Sequence, residues 1–68
     1  RNQLAEALET LPARQKEIIY LRFMQGVPMA DIAQMLDMNY QSVRNSIHRA
    51  MQTLRSKIKM IYLFITSI

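Results

Sequence analysis

The chain of 68 residues contains no cysteine and no tryptophan, one glycine, two prolines and one histidine. The missing cysteine excludes disulfides, thiolate metal sites and cysteine nucleophiles, and an intracellular location fits that composition. So little glycine and proline in a chain that is 50% hydrophobic argues against a turn-rich β fold and for helices. His48 stands alone: no acid near it in sequence would orient it as a base, and no second ligand is spaced to share a metal or other cofactor. A Gly-rich phosphate loop and a nucleophile elbow are both absent, so an enzyme is not expected. No signal-peptide pattern is visible, and a start at Arg1 without methionine suggests a fragment of something longer. One more absence is positional. Asp37 is the last acidic residue, and beyond it Arg44, Arg49, Arg55, Lys57 and Lys59 have no acid to offset them. A basic segment beside a nearly neutral remainder suits a polyanionic partner, its plainer reading being a solvated basic face.

A chain of this length makes one small domain, burying only about 60% of its unfolded surface. Leu4, Ala7, Leu8 and Leu11 share a stripe, which predicts a short amphipathic helix over residues 2–11. Pro12 disfavours helix at Leu11 and suits the start of a new one. The second helix is expected over 13–24, with apolar surface from Ile18, Ile19, Leu21 and Phe23, and with Arg14, Ile18 and Arg22 on one four-residue row. Gly26 is the natural left-handed residue to end it. Pro28 precedes a third helix over 29–36, whose Asp31 suits the positive end of the helix dipole. The six methionines read as adaptable core filler.

Residues 32–54 carry the pattern around which the rest is arranged. Ile32, Ala33 and Leu36 share one face of a short helix, while Val43, Ile47, Ala50, Met51 and Leu54 recur at helical spacing in a longer one. Between them, Asp37 and Asn39 tolerate turn conformations, Met38 can point into the core, and Asn39 is a good N-cap. This is a helix-turn-helix pattern. The outer face of its second helix is Gln41, Ser42, Arg44, Asn45, His48 and Arg49, side chains able to bond base edges or phosphates. The apolar stripe then runs on through Ile58, Ile61 and Ile65. A helix over 40–65 would be about 39 Å long at ~1.5 Å per residue, more than three short helices can cover. The run over 60–65 is far below the roughly 20 residues of a membrane span. An uncovered apolar overhang needs a partner, so the tail over 60–68 is expected to pair with another copy or with more of its own chain. A protein-docking or oligomerisation module built on that tail is the reading that involves no DNA.

Three stretches then carry a family resemblance. Leu-Pro-Ala-Arg-Gln-Lys-Glu-Ile-Ile-Tyr-Leu-Arg-Phe over 11–23 resembles the start of region 4 of the sigma-70 family of bacterial RNA polymerase sigma factors. Gly-Val-Pro-Met-Ala-Asp-Ile-Ala-Gln-Met-Leu over 26–36 resembles that family's next helix. Ser42-Val43-Arg44, His48-Arg49-Ala50 and Leu54-Arg55 resemble its recognition helix. The size and spacing are most similar to the extracytoplasmic-function (ECF) type. The chain departs from the family at Asp37, where glycine is common, and at Pro28-Met29-Ala30, where a Ser or Thr cap, an aromatic and an acid are common. The resemblance implies an all-α fold of four helices, a helix-turn-helix DNA-binding domain without a wing over 1–59, its long last helix extended by the apolar segment 60–68. It implies a cytoplasmic protein that recognises the minus-35 promoter element and docks on the β flap of core RNA polymerase, with an anti-sigma factor as a further partner. By position, Arg14 and Arg22 would hold phosphates, Tyr40, Gln41, Ser42, Arg44 and Asn45 would face the major groove, and His48 and Arg49 would reach base or backbone further along. The plainer alternatives are that Tyr40 only packs over the turn and that Arg22 pairs with an acid of its own domain such as Asp31. A response-regulator output domain of the LuxR type shares the helix arrangement, but the Arg49-Ala50 and Leu54-Arg55 pairs look more like a sigma factor.

Overall fold

A computed structural model describes residues 3–66, with side chains over residues 3–58. Helix α1 (Gln3–Glu9) closes with Thr10, whose backbone N–H and hydroxyl both donate to the Ala7 carbonyl, at 3.1 and 2.6 Å. Pro12, extended at φ −55° and ψ 148°, starts α2 (Ala13–Ile19) and accepts the Lys16 N–H at 2.9 Å. A proline serves here because the first N–H groups of a helix have no partner within it.

The helix expected over 13–24 is not uniform. Beyond Ile19 it widens into a π-turn, Tyr20–Met24, in which the Gln25 N–H reaches back to the Tyr20 carbonyl at 3.1 Å and Val27 N–H to the Leu21 carbonyl at 2.9 Å. Gly26, at φ +70°, then reverses the chain as expected of the one residue without a Cβ penalty there. Helix α3 (Met29–Met35) follows Pro28. It ends in a Schellman motif: Met38 N–H bonds the Ala33 carbonyl at 2.9 Å and Asp37 N–H the Gln34 carbonyl at 3.3 Å. The left-handed position of that motif is filled by Asp37 at φ +53°, where glycine is the usual occupant. Asn39 caps α4 (Tyr40–Thr66), its Oδ1 accepting the Ser42 N–H at 2.7 Å.

Helix α4 packs on α1, α2 and α3 in turn. Ile18, Ile32 and Val43, one each from α2, α3 and α4, are fully buried and mark where three helices meet. Ala33 joins them, with Leu21, Val27, Met29, Leu36 and Met38 packed around. A second cluster, Ala7, Leu11, Ile19, Ala50 and Leu54, holds α1 against the middle of α4, and Ile47 touches both clusters. Burying a Val, Leu or Ile side chain is worth about 1.5–3 kcal/mol, so these few residues supply most of what a chain this small can gather. Leu54 is the last buried residue of α4 before Ile58, which is 42% exposed. The helix backbone continues to Thr66, and the tail's expected pairing falls on side chains outside the described residues. Among the described residues no helix is long and apolar enough to cross a membrane.

Candidate nucleic-acid interface

The side of α4 away from Val43, Ile47, Ala50 and Leu54 is polar from its first turn. Gln41, Asn45, His48 and Gln52 are all exposed and follow one another at steps of three and four residues, so they form one row. Arg44 and Arg55 flank that row on one side, and Arg49 with the half-buried Ser42 on the other. At ~1.5 Å per residue, Gln41 to Arg49 covers about 12 Å, the width of the B-DNA major groove. Gln52 and Arg55 lie past that length, where a straight helix leaves the groove and meets backbone. Sequence reasoning passed over both, although the spacing 41, 45, 48, 52 points to Gln52. Ser42 N–H is taken by the Asn39 side chain and Val43 N–H by the Asn39 carbonyl at 3.2 Å, leaving those of Tyr40 and Gln41 at the mouth of the helix. Tyr40 is 49% exposed there. Gln41 and Asn45 are joined: Gln41 Nε2 donates to Asn45 Oδ1 at 3.1 Å.

The two arginines expected on phosphates are placed differently from each other. Arg14 sits beside the turn that leads into α4, where Nη1 donates to the Leu36 carbonyl at 3.5 Å and Nε lies 3.6 Å from Glu17 Oε1. It therefore shares a side with the first turn of α4 and is partly neutralised. Arg22 does not pair with Asp31. Its guanidinium lies over the Phe23 ring, 5.6 Å from the centroid, a cation–π contact, and it forms no ion pair with an acid among the described residues. It stands in the π-turn beyond α2, eight residues on from Arg14, so the two do not form one cluster.

Beside the later turns of α4, a groove of about 580 Å³ runs between α1, the π-turn and α4, lined among others by Leu4, Tyr20, Phe23, Met24, Met51 and Ile58. Its rim carries Arg55 and the ion pair of Lys16 with Glu9 at 3.2 Å. The π-turn supplies one wall, where Phe23 is 53% and Met24 72% exposed. Among the described residues no group of three or more His, Cys, Asp or Glu could hold a metal ion.

Residues 1–54 match the family model described as sigma-70, region 4. The chain belongs to that family. Its region 4 helices are α1 to α4, and the helix-turn-helix is α3 with the first half of α4. The chain is also 36% identical over 55 residues to the RNA polymerase sigma factor SigV of Bacillus subtilis (strain 168), which covers 81% of this chain and 33% of SigV. It is 38% identical over 56 residues to the ECF RNA polymerase sigma factor SigD of Mycobacterium tuberculosis (strain ATCC 25618 / H37Rv), covering 82% of this chain and 26% of SigD. The ECF type expected from the sequence is thus the type named among its relatives. The chain spans a third or less of the length of these relatives. No solved structure matches it significantly.

Proposed function

We propose that this chain reads the minus-35 promoter element for bacterial RNA polymerase, as region 4 of an ECF-type sigma factor. One observation carries the reading: the exposed side of α4 from Tyr40 to Arg55 holds Gln41, Arg44, Asn45, His48, Arg49 and Arg55 with no acidic residue, while the opposite side is the core. Such a helix can enter a major groove without disturbing the fold that holds it. Phosphate contacts from Arg49, Arg14 and Arg22 set register, and Gln41, Arg44 and Asn45 read base edges. Tyr40, Ser42 and His48 complete the contact surface along the groove.

The apolar groove supports the second partner. An apolar helix such as the β flap of core polymerase would cover Phe23, Met24, Met51 and Ile58 while α4 lies on DNA. An anti-sigma factor, the further partner the family implies, would silence the domain by covering either face. These partners place the protein's work in the cytoplasm.

The test is selection of bound DNA from a random pool by the full chain together with core polymerase. The expected result is enrichment of one upstream element, and a loss of at least about tenfold in binding for the Arg44→Ala, Arg49→Ala double variant with its helicity unchanged. Full-strength binding by that variant would remove α4 as the reader. Failure to co-purify with core polymerase would remove the polymerase from the partners of this domain.

A further inference from the structure

We infer that Asn45 is a positioning residue for Gln41, and that the pair makes the promoter contact specific for adenine at one fixed step. The inference rests on the promoter-reading proposal and deepens it. Gln41 stands in the first turn of α4 and is exposed, with three rotatable side-chain bonds to be set. The hydrogen bond from its Nε2 to Asn45 Oδ1, at 3.1 Å, makes that choice. Pairs of this kind at i, i+4 add little to the stability of a helix, so the consequence to look for is orientation.

With one N–H given to Asn45, the Gln41 amide keeps Oε1 and its second N–H, an acceptor beside a donor in one plane. Adenine presents the complement in the major groove, a donor at N6 beside an acceptor at N7. Guanine presents two acceptors, O6 and N7, and would leave Oε1 facing another oxygen. Asn45, bonded through its oxygen, keeps both of its own N–H donors for an acceptor further along the groove. The two residues lie on one row within the span that fits the groove, so both can engage a single face of the duplex. Without Asn45, Gln41 could still reach adenine, but the ordering of its amide would then have to be met on binding.

The experiment compares the full chain and its variants, each with core polymerase, on duplexes that change one base pair at a time. The Gln41 step is defined as the one where Gln41→Ala relaxes the base preference. Wild type is expected to prefer adenine over guanine there by about tenfold or more, the discrimination of a good bidentate contact. Asn45→Ala is expected to lower that same preference several-fold. Asn45→Asp, which retains an oxygen acceptor, should restore it whatever its added charge does to overall affinity, because the readout is a ratio within one variant. The double variant Gln41→Ala, Asn45→Ala should discriminate at that step no worse than Gln41→Ala alone. Guanine selected at the step, or an Asn45→Ala variant that alters only some other step, overturns the inference and leaves the promoter reading standing. A wild-type complex that selects no element overturns both.

Discussion

The ion pair between Arg14 and Glu17 offers a sharp test of whether Arg14 meets a phosphate. Both side chains are about half exposed, at 53% and 52%, and Nε lies 3.6 Å from Oε1. A pair this open is worth at most about 1 kcal/mol to the fold, so Glu17→Gln should leave the thermal midpoint almost unchanged. Its effect on DNA is larger for a geometric reason. A phosphate gripped by Arg14 from the side opposite Glu17 would stand about 7 Å from that carboxylate. At 7 Å two like charges repel by about 0.6 kcal/mol in bulk water and by about 2.4 kcal/mol at the effective dielectric of a protein surface. A Debye length of ~10 Å in 0.1 M salt roughly halves both. Removing the Glu17 charge should therefore tighten binding by about two- to eightfold at 0.1 M salt. Because Arg14 is then free to displace a full counterion, the slope of log affinity against log salt should steepen by up to about 0.9 from a starting value set by four to six phosphate contacts. Fluorescence anisotropy on the selected promoter duplex with core polymerase, from about 50 to 300 mM salt, measures both quantities. Unchanged affinity and slope would mean that Arg14 serves only the Leu36 carbonyl and the turn, and that phosphate anchoring lies elsewhere.

Two further outcomes are expected. Asp37→Gly should raise stability by about 0.5–1 kcal/mol, the left-handed penalty of Asp37 less glycine's greater freedom when unfolded, seen as a melting rise of about 2–8 °C; Asp37→Val should lower it. For the tail, sedimentation with and without residues 60–68 should show association only in the longer form, and a monomer in both would end the idea of self-pairing.

Much of this architecture could be read before any coordinates. Gly26 is left-handed, Asn39 caps α4, and Val43, Ala50 and Leu54 are buried because each of these rests on a local rule that leaves few alternatives. The π-turn at Tyr20–Met24 was not legible, since one extra residue in a turn leaves a short apolar stretch looking much like an α-helix. The groove was missed for the same reason. An α-helical reading spends Phe23 on the core, whereas the widened turn leaves it and Met24 facing outward beside Met51 and Ile58. The alternative of an Arg22–Asp31 pair rested on charge alone, and the guanidinium lies over the neighbouring Phe23 ring instead. For Gln41, Arg44, Asn45, His48 and Arg49, the exposed side of α4 that they share could be read from spacing. The bonds that candidate residues make could not: Gln41 to Asn45 and Arg14 to Leu36 depend on rotamers and on where two elements cross.

The two faces use one helix, and this bears on how so small a domain could be effective. Met51, Leu54, Arg55 and Ile58 line the groove on the same α4 whose first turns carry Gln41, Arg44 and Asn45. Between the two regions the helix is pinned at Val43, Ala50 and Leu54, so neither end can tilt without opening the core. A partner seated in the groove would therefore hold the reading face at a fixed attitude and supply effective concentration rather than new base contacts. With about four to six phosphate contacts, the free domain is expected to bind weakly by itself. Its specificity should consequently be nearly the same with and without polymerase, while its affinity rises by orders of magnitude when polymerase is present. A mutation in the groove, such as Phe23→Ala, would then weaken binding to every promoter alike, whereas one on the Gln41 row would change which promoter is chosen.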